Sequence, residues 1–171
     1  MPLEIIRLLA FQGPNILAPQ PGVLLQARAD RDQSRRLRSA LRDAAQGAGI
    51  VLGALDVEAQ PAGAGQVLTA SFTTPTPEIG AAVARYVVEG LNAQEAGDES
   101  WDAEGRLWEL RRRWRAEALP AAALRLVAEA AVRGVPAFTR ADGALQLGYG
   151  ARSLALDPAA LAVQRRGDAA P

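Results

Sequence analysis

The sequence predicts an α+β fold: a mostly antiparallel sheet in β-β-α-β-β-α order with its helices on one face, followed by two helices and a C-terminal β-hairpin. Helical periodicities fall between pairs of apolar runs and not between single runs, which favours antiparallel pairing over a doubly wound parallel sheet. The run 66–74 alternates with period two, as a strand with one buried face does. The 171 residues suffice for one domain with a core, because a chain of roughly 150 residues buries about 70% of its unfolded surface.

Residues 3–11 (LEIIRLLAF) and 22–29 (GVLLQARA) read as the first two strands, each bounded by Gly or Pro. Pro14, Pro19 and Pro21 between them make a stiff, shaped turn. From Arg31 to Gly49 the pattern is helical: Leu37, Ala40, Leu41, Ala44 and Ala48 share a face, and the segment GAG ends the run where a left-handed residue is wanted. Residues 50–58 (IVLGALDVE) and 66–74 (QVLTASFTT) follow as a hairpin joined by AQPAGAG. In the second, Val67, Thr69, Ser71 and Thr73 take one side and Leu68, Ala70 and Phe72 the other.

Thr76 is placed to cap a helix with Pro77 at its first position, where the missing N–H costs nothing. Ile79, Val83, Tyr86, Val87 and Leu91 make its buried stripe as far as about Asn92. An acidic loop leads to an arginine-rich helix over 105–119, packed through Leu107, Leu110 and Trp114. A helix over 120–134 follows, with Leu124, Val127, Ala128 and Ala131 as its inner face and Gly134 as its stop. VPAFTR and ALQLGYG form short strands around ADG, continued by SLAL. Residues 1–157 then make one domain with a helical appendage at about 98–118, and 158–171 a flexible tail.

Composition narrows the chemistry. The chain has no cysteine, histidine or lysine; all nineteen basic side chains are arginine, and nineteen carboxylates balance them. Disulfides, thiolate or histidine catalysis, sulfur metal sites, Schiff bases and phosphate-gripping lysines are excluded. An enzyme would have to work with a carboxylate pair, a hard cation on oxygen is the only plausible metal, and no cofactor is expected. No apolar run approaches the ~20 residues that cross a bilayer, and the start of the chain lacks a leader pattern, so a cytoplasmic protein without a membrane partner is expected.

The local motifs each have a plain reading. GAGIVLG precedes a strand and lacks the third glycine, so it is not a dinucleotide loop. Glu95, Asp98, Glu99, Asp102 and Glu104 lack the alternating ligands and fixed glycine of a calcium loop and read as a solvated segment. Arg111, Arg112, Arg113 and Arg115 with Trp108 and Trp114 offer a nucleic-acid surface, which the balanced charge disfavours. Arg31, Arg35, Arg38 and Arg42 share one helix face; they are a solvated face salted by Asp32 and Asp43, or a strip of guanidinium forks for carboxylates or phosphates. In Gly13-Pro14-Asn15, Gly13 can take backbone angles closed to other residues, Pro14 fixes its own φ and Asn15 bonds nearby backbone, which together make a rigid corner. Gly148-Tyr149-Gly150 sets a ring between two residues without side chains.

Two of these motifs carry a family resemblance. Arg133-Gly134-Val135-Pro136 and Gln146-Leu147-Gly148-Tyr149-Gly150 resemble the end of the N-terminal domain of cyanophycin synthetase, where a helix of the form Ile-Val-x-x-Ala-x-x-Arg-Gly-Ile-Pro leads through a short strand into Gln-Leu-Gly-Tyr-Gly. The family's first strand runs into Gly-Pro-Asn, as at Gly13-Pro14-Asn15, and AGIVLGAL and VLTASFTT fall where it has similar strands. Ser34, Arg35 and Ser39 stand where the family carries the glycine and histidines of a Gly-His-x-x-Glu-His pattern, so no role of those histidines carries over. After Gly150 the family continues with a basic Gln-Arg-Arg-Ile stretch, whereas this chain has Ser153-Leu154-Ala155-Leu156.

In that family the domain precedes ATP-grasp and Mur-ligase-like domains that extend an aspartate backbone and attach arginine; this sequence contains neither. The resemblance implies a non-catalytic accessory module that binds a peptide-like polymer or a separately encoded amide ligase, with self-association open. It also implies that the two glycine-containing turns flank a docking surface whose polar contacts are Asn15, Gln146 and Tyr149; the plain alternative is that both are turn chemistry and Tyr149 covers the core. The rival readings are nucleic-acid binding through the arginine-rich helices and an enzyme using a carboxylate pair.

Overall fold

A computed structural model describes residues 2–13, 15, 18–140 and 142–163. The fold is α+β, in the order expected. Strands β1 (Glu4–Phe11), β2 (Gly22–Ala29), β3 (Asp56–Ala62) and β4 (Gly65–Thr73) form an antiparallel sheet in the order β1-β2-β4-β3. Helix α1 (Ser34–Ala48) lies against β3, and α2 (Pro77–Ala96) lies against β1 and β2 on the same face. Alternation along the strands explains that choice: Val23, Leu25, Leu68, Ala70 and Phe72 point into the helices and are buried, whereas Gln26, Thr69 and Ser71 between them point away. Leu37 and Leu41 of α1 and Ile79, Val83 and Val87 of α2 complete the core.

Several boundaries differ from expectation for physical reasons. β3 begins at Asp56, not Ile50, and its end takes in Ala59-Gln60-Pro61-Ala62, which the sequence pattern places in the connection. Pro61 is tolerated because β3 is an edge strand, and the loop shrinks to Gly63-Ala64, with Gly63 at φ +63°, the positive value that tight two-residue hairpins need. α2 runs one turn beyond Asn92, to a left-handed Gly97. Thr76 does start α2, but its hydroxyl makes no capping bond and is buried without a partner; its N–H instead donates to the Thr74 hydroxyl at 3.4 Å.

The expected appendage is part of the body. Helix α3 (Ala103–Glu117), capped by Asp102 accepting from the Gly105 N–H at 2.8 Å, lays Leu107, Leu110 and Trp114 against the helical layer. Gly47 of α1 permits this approach, since a Cβ there would come within 2.9 Å of Leu107 Cδ2.

A second, smaller unit follows. Helix α4 (Ala121–Val132) ends as expected, with Gly134 at φ +65° and the Val135 N–H returning to the Ala130 carbonyl. It packs against a three-stranded antiparallel sheet of β5 (Ala137–Thr139), β6 (Leu145–Leu147) and β7 (Leu154–Leu156). The tail expected from residue 158 starts instead as helix α5 (Pro158–Val163), packed on α4, with the Asp157 carboxylate accepting from the Ala159 N–H. Residues 164–171 lie outside the described residues. No described helix is long and apolar enough to cross a membrane.

Candidate binding cleft

A cleft of about 390 Å³ separates one end of the main sheet from the α4/β5/β6 unit. Its sheet-side wall comes from three neighbouring loops: Pro19 and Pro21 before β2, Val51 and Gly53 before β3, and Pro75 after β4. The stiffness noted in the first turn has a use here, because Pro19 and Pro21 hold that wall and the Pro21 carbonyl accepts from the Thr74 N–H at 3.0 Å. Gly53 is held as closely: a Cβ there would meet the Thr73 hydroxyl at 2.3 Å.

The opposite wall is the face of α4 expected to be internal. Leu124, Val127, Ala128 and Ala131 line the cleft, and Leu124 is 39% exposed; Ala123 and Ala130 are the buried pair instead. The helix is apolar nearly all round, so spacing alone does not say which face the core takes. Phe138 of β5 and Leu145 of β6 close the floor. Among the described residues no Arg, Asp or Glu lines the cleft, and its polar side chains are Gln20, Thr73, Thr74 and Thr139. Such a surface suits apolar groups.

The two glycine-containing turns meet at this floor. Gly13 packs on the Phe138 ring, where an added Cβ would stand 3.5 Å from Cγ, and Tyr149 stacks on the same ring with centroids 5.6 Å apart. Gly13 does not use left-handed angles, contrary to the expectation; it serves by lying close to the ring. Gly148 and Gly150 do use them, at φ +77° and +65°. Pro14 lies outside the described residues.

The expected polar contacts are spent within their own turns. Asn15 Nδ2 donates to the carbonyls of Gly13 and Gln20 at 3.1 Å each, and its Oδ1 accepts from the Ala18 N–H. Gln146 Nε2 donates to the Gly148 carbonyl at 3.0 Å. Tyr149 is half exposed.

The arginine strip is divided. Arg31 precedes α1 and pairs with Glu95 at 3.9 Å. Arg38 is built into the fold, donating to the Val57 carbonyl at 2.9 Å and pairing with Asp56 at 3.2 Å, which ties α1 to β3. Arg35 and Arg42 remain exposed on that side. On α3, Arg106 pairs with Glu89, Arg112 with Glu109 and Arg113 with Glu117, while Arg111 donates to the Gly47 carbonyl. Beside Glu109, the Arg112 guanidinium holds the carboxyl below its usual range. Three of the five arginines of α3 are thus paired with carboxylates, which weakens the field the helix offers to phosphates. Among the described residues no cluster of acidic side chains is arranged to hold a metal ion.

No motif marks Phe138, Val51 or Pro75 in the sequence. The run of prolines ahead of β2 was the available signal, since a shaped loop implies something to shape itself around. Residues 2–169 match the family described as Domain of unknown function (DUF4938), and the chain belongs to that family. No curated protein matches it.

Proposed function

We propose that this protein is a non-catalytic binding module whose cleft docks an apolar segment of a protein partner. One observation carries the reading: Phe138 joins both motif turns and floors a cleft that, among the described residues, has no ionisable side chain. The resemblance to the N-terminal domain of cyanophycin synthetase offers two partner classes, a peptide-like polymer and a separately encoded amide ligase. An aspartate–arginine polymer bears charge on every unit, and burying those charges without partners is costly. An apolar stretch of a ligase suits the cleft better. The enzyme reading would need a carboxylate pair at the cleft, where none stands among the described residues.

The test is capture from extracts of the source cell with wild-type protein and with Leu124→Glu, a rim substitution at a partly exposed site. A protein retained by the wild type and lost by the variant supports the module. Equal retention by both, or sedimentation of an aspartate–arginine polymer with the wild type, contradicts it. Amide product from ATP, magnesium, aspartate and arginine above a no-protein control would restore the enzyme reading.

A further inference from the structure

β5 meets the cleft edge-on. Pro136, Ala137, Phe138 and Thr139 all line it in succession, although alternate strand residues point to opposite faces. A strand contributes both faces to one cavity only when its edge borders that cavity.

That edge carries unpaired main-chain groups. The Gly148 N–H donates to the Pro136 carbonyl and the Arg140 N–H to the Ala144 carbonyl, both at 2.8 Å. Phe138 opposite Gln146 therefore lies in register as the hydrogen-bonded pair between them, with its N–H and C=O turned toward β6. Those of Ala137 and Thr139 turn the other way, where β5 has no neighbouring strand, and no partner for them is found among the described residues. A ligand that supplies partners for these groups exchanges cleft water for main-chain hydrogen bonds.

We propose that the cleft receives an extended, uncharged peptide segment that adds to β5 as a further strand. Resting on the docking role proposed above, this names the ligand's conformation and chemistry. Its main chain pairs with Ala137 and Thr139, and its side chains enter an apolar space bounded by Leu124, Val127 and Pro75. The match in charge is neutrality against neutrality, since none of the described lining residues is ionisable. β5 offers three residues, about 10 Å of edge. Recognition by strand addition draws affinity from the main chain and selectivity from alternate side chains.

The probes are capped tetrapeptides alternating Val, Leu or Ile with Ala or Thr, together with forms N-methylated at alternate residues in either register. Titration is followed by methyl shifts of Leu124 and Val127 and by hydrogen exchange of the Ala137 and Thr139 amides. The expected result is methyl shifts, slowed exchange at both amides, and about tenfold weaker binding for one N-methylated register. Methyl shifts with unchanged amide exchange, or equal binding of all N-methylated forms, overturn strand addition and leave the docking cleft standing. No methyl shift with any peptide overturns both. Slowed amide exchange that tracks protein concentration without peptide would assign the edge to a second copy and overturn the peptide.

Discussion

Phe138 and Tyr149 stack their rings at a centroid separation of 5.6 Å and an interplanar angle of 29°, which fixes the Gly148–Gly150 turn to the floor of the cleft. Tyr149→Ala removes this pair from a half-exposed ring, a contribution of about 1 kcal/mol. A melting temperature lower by about 2–4 °C is expected for a chain of this size. Phe138→Ala should cost more, about 3 kcal/mol, because Gly13 also rests on that ring. Thermal melts of both variants check the order; a larger loss for Tyr149→Ala would contradict it.

Asn92 closes a hydrogen-bonded pair with Leu3, its Oδ1 accepting from the Leu3 N–H at 2.6 Å and its Nδ2 donating to the Leu3 carbonyl at 2.9 Å. The pair fastens the start of β1 to α2. Asn92→Ala leaves both main-chain groups of a nearly buried residue unpaired, and a loss of about 1–3 kcal/mol is expected. Urea titration gives the value, and faster amide exchange at the start of β1 identifies the cause.

Gly80 and Gly13 should respond differently to alanine. A Cβ at Gly80 would stand 2.9 Å from Thr74 Cγ2, 3.0 Å from Val23 Cγ2 and 3.1 Å from Phe72 Cε2, so α2 must retreat from the sheet. About 1–3 kcal/mol is expected to be lost. At Gly13 the same atom would make ordinary contact with Phe138 at 3.5 Å, without a left-handed backbone to oppose it. Gly13→Ala should unfold within about 0.5 kcal/mol of the wild type.

Stability should fall in acid. The chain has no histidine, cysteine or lysine, and burial pushes the Tyr86 phenol above its ordinary 10.0, so the acid limb is set by carboxylates. Asp32 lies below its ordinary 3.8 because the Ser34 N–H donates to it, and Asp98 likewise because of the Ser100 hydroxyl and N–H. Between the folded and unfolded values the unfolded chain binds more protons. The stabilisation is therefore complete above about pH 4 and is lost as pH falls through the folded values. Thermal melts across pH check this, and a transition centred near pH 6.5 would contradict it.

Much of the framework was legible in the sequence because it depends on local rules. Period-two alternation identified the buried face of β4, and the 3.6-residue stripe found the inner faces of α1 and α2. Gly49 and Gly134 marked their helix ends by needing left-handed angles. The missing residue types likewise limit the available chemistry through composition alone. The site was not legible to the same degree. Helix α4 is apolar on nearly every side, so only packing decided that Ala123 and Ala130 face inward and Leu124 and Val127 face the cleft. Phe138 carries no motif of its own, and its meeting with Gly13 and Tyr149 requires segments more than a hundred residues apart to converge. Arg38 resembles its neighbours on the strip in sequence, and only the fold brings the Val57 carbonyl to it. Local sequence determines which angles and faces a segment prefers; the tertiary structure decided which of two apolar faces was covered and which main-chain edge was left unpaired, because both depend on what the rest of the chain brings alongside.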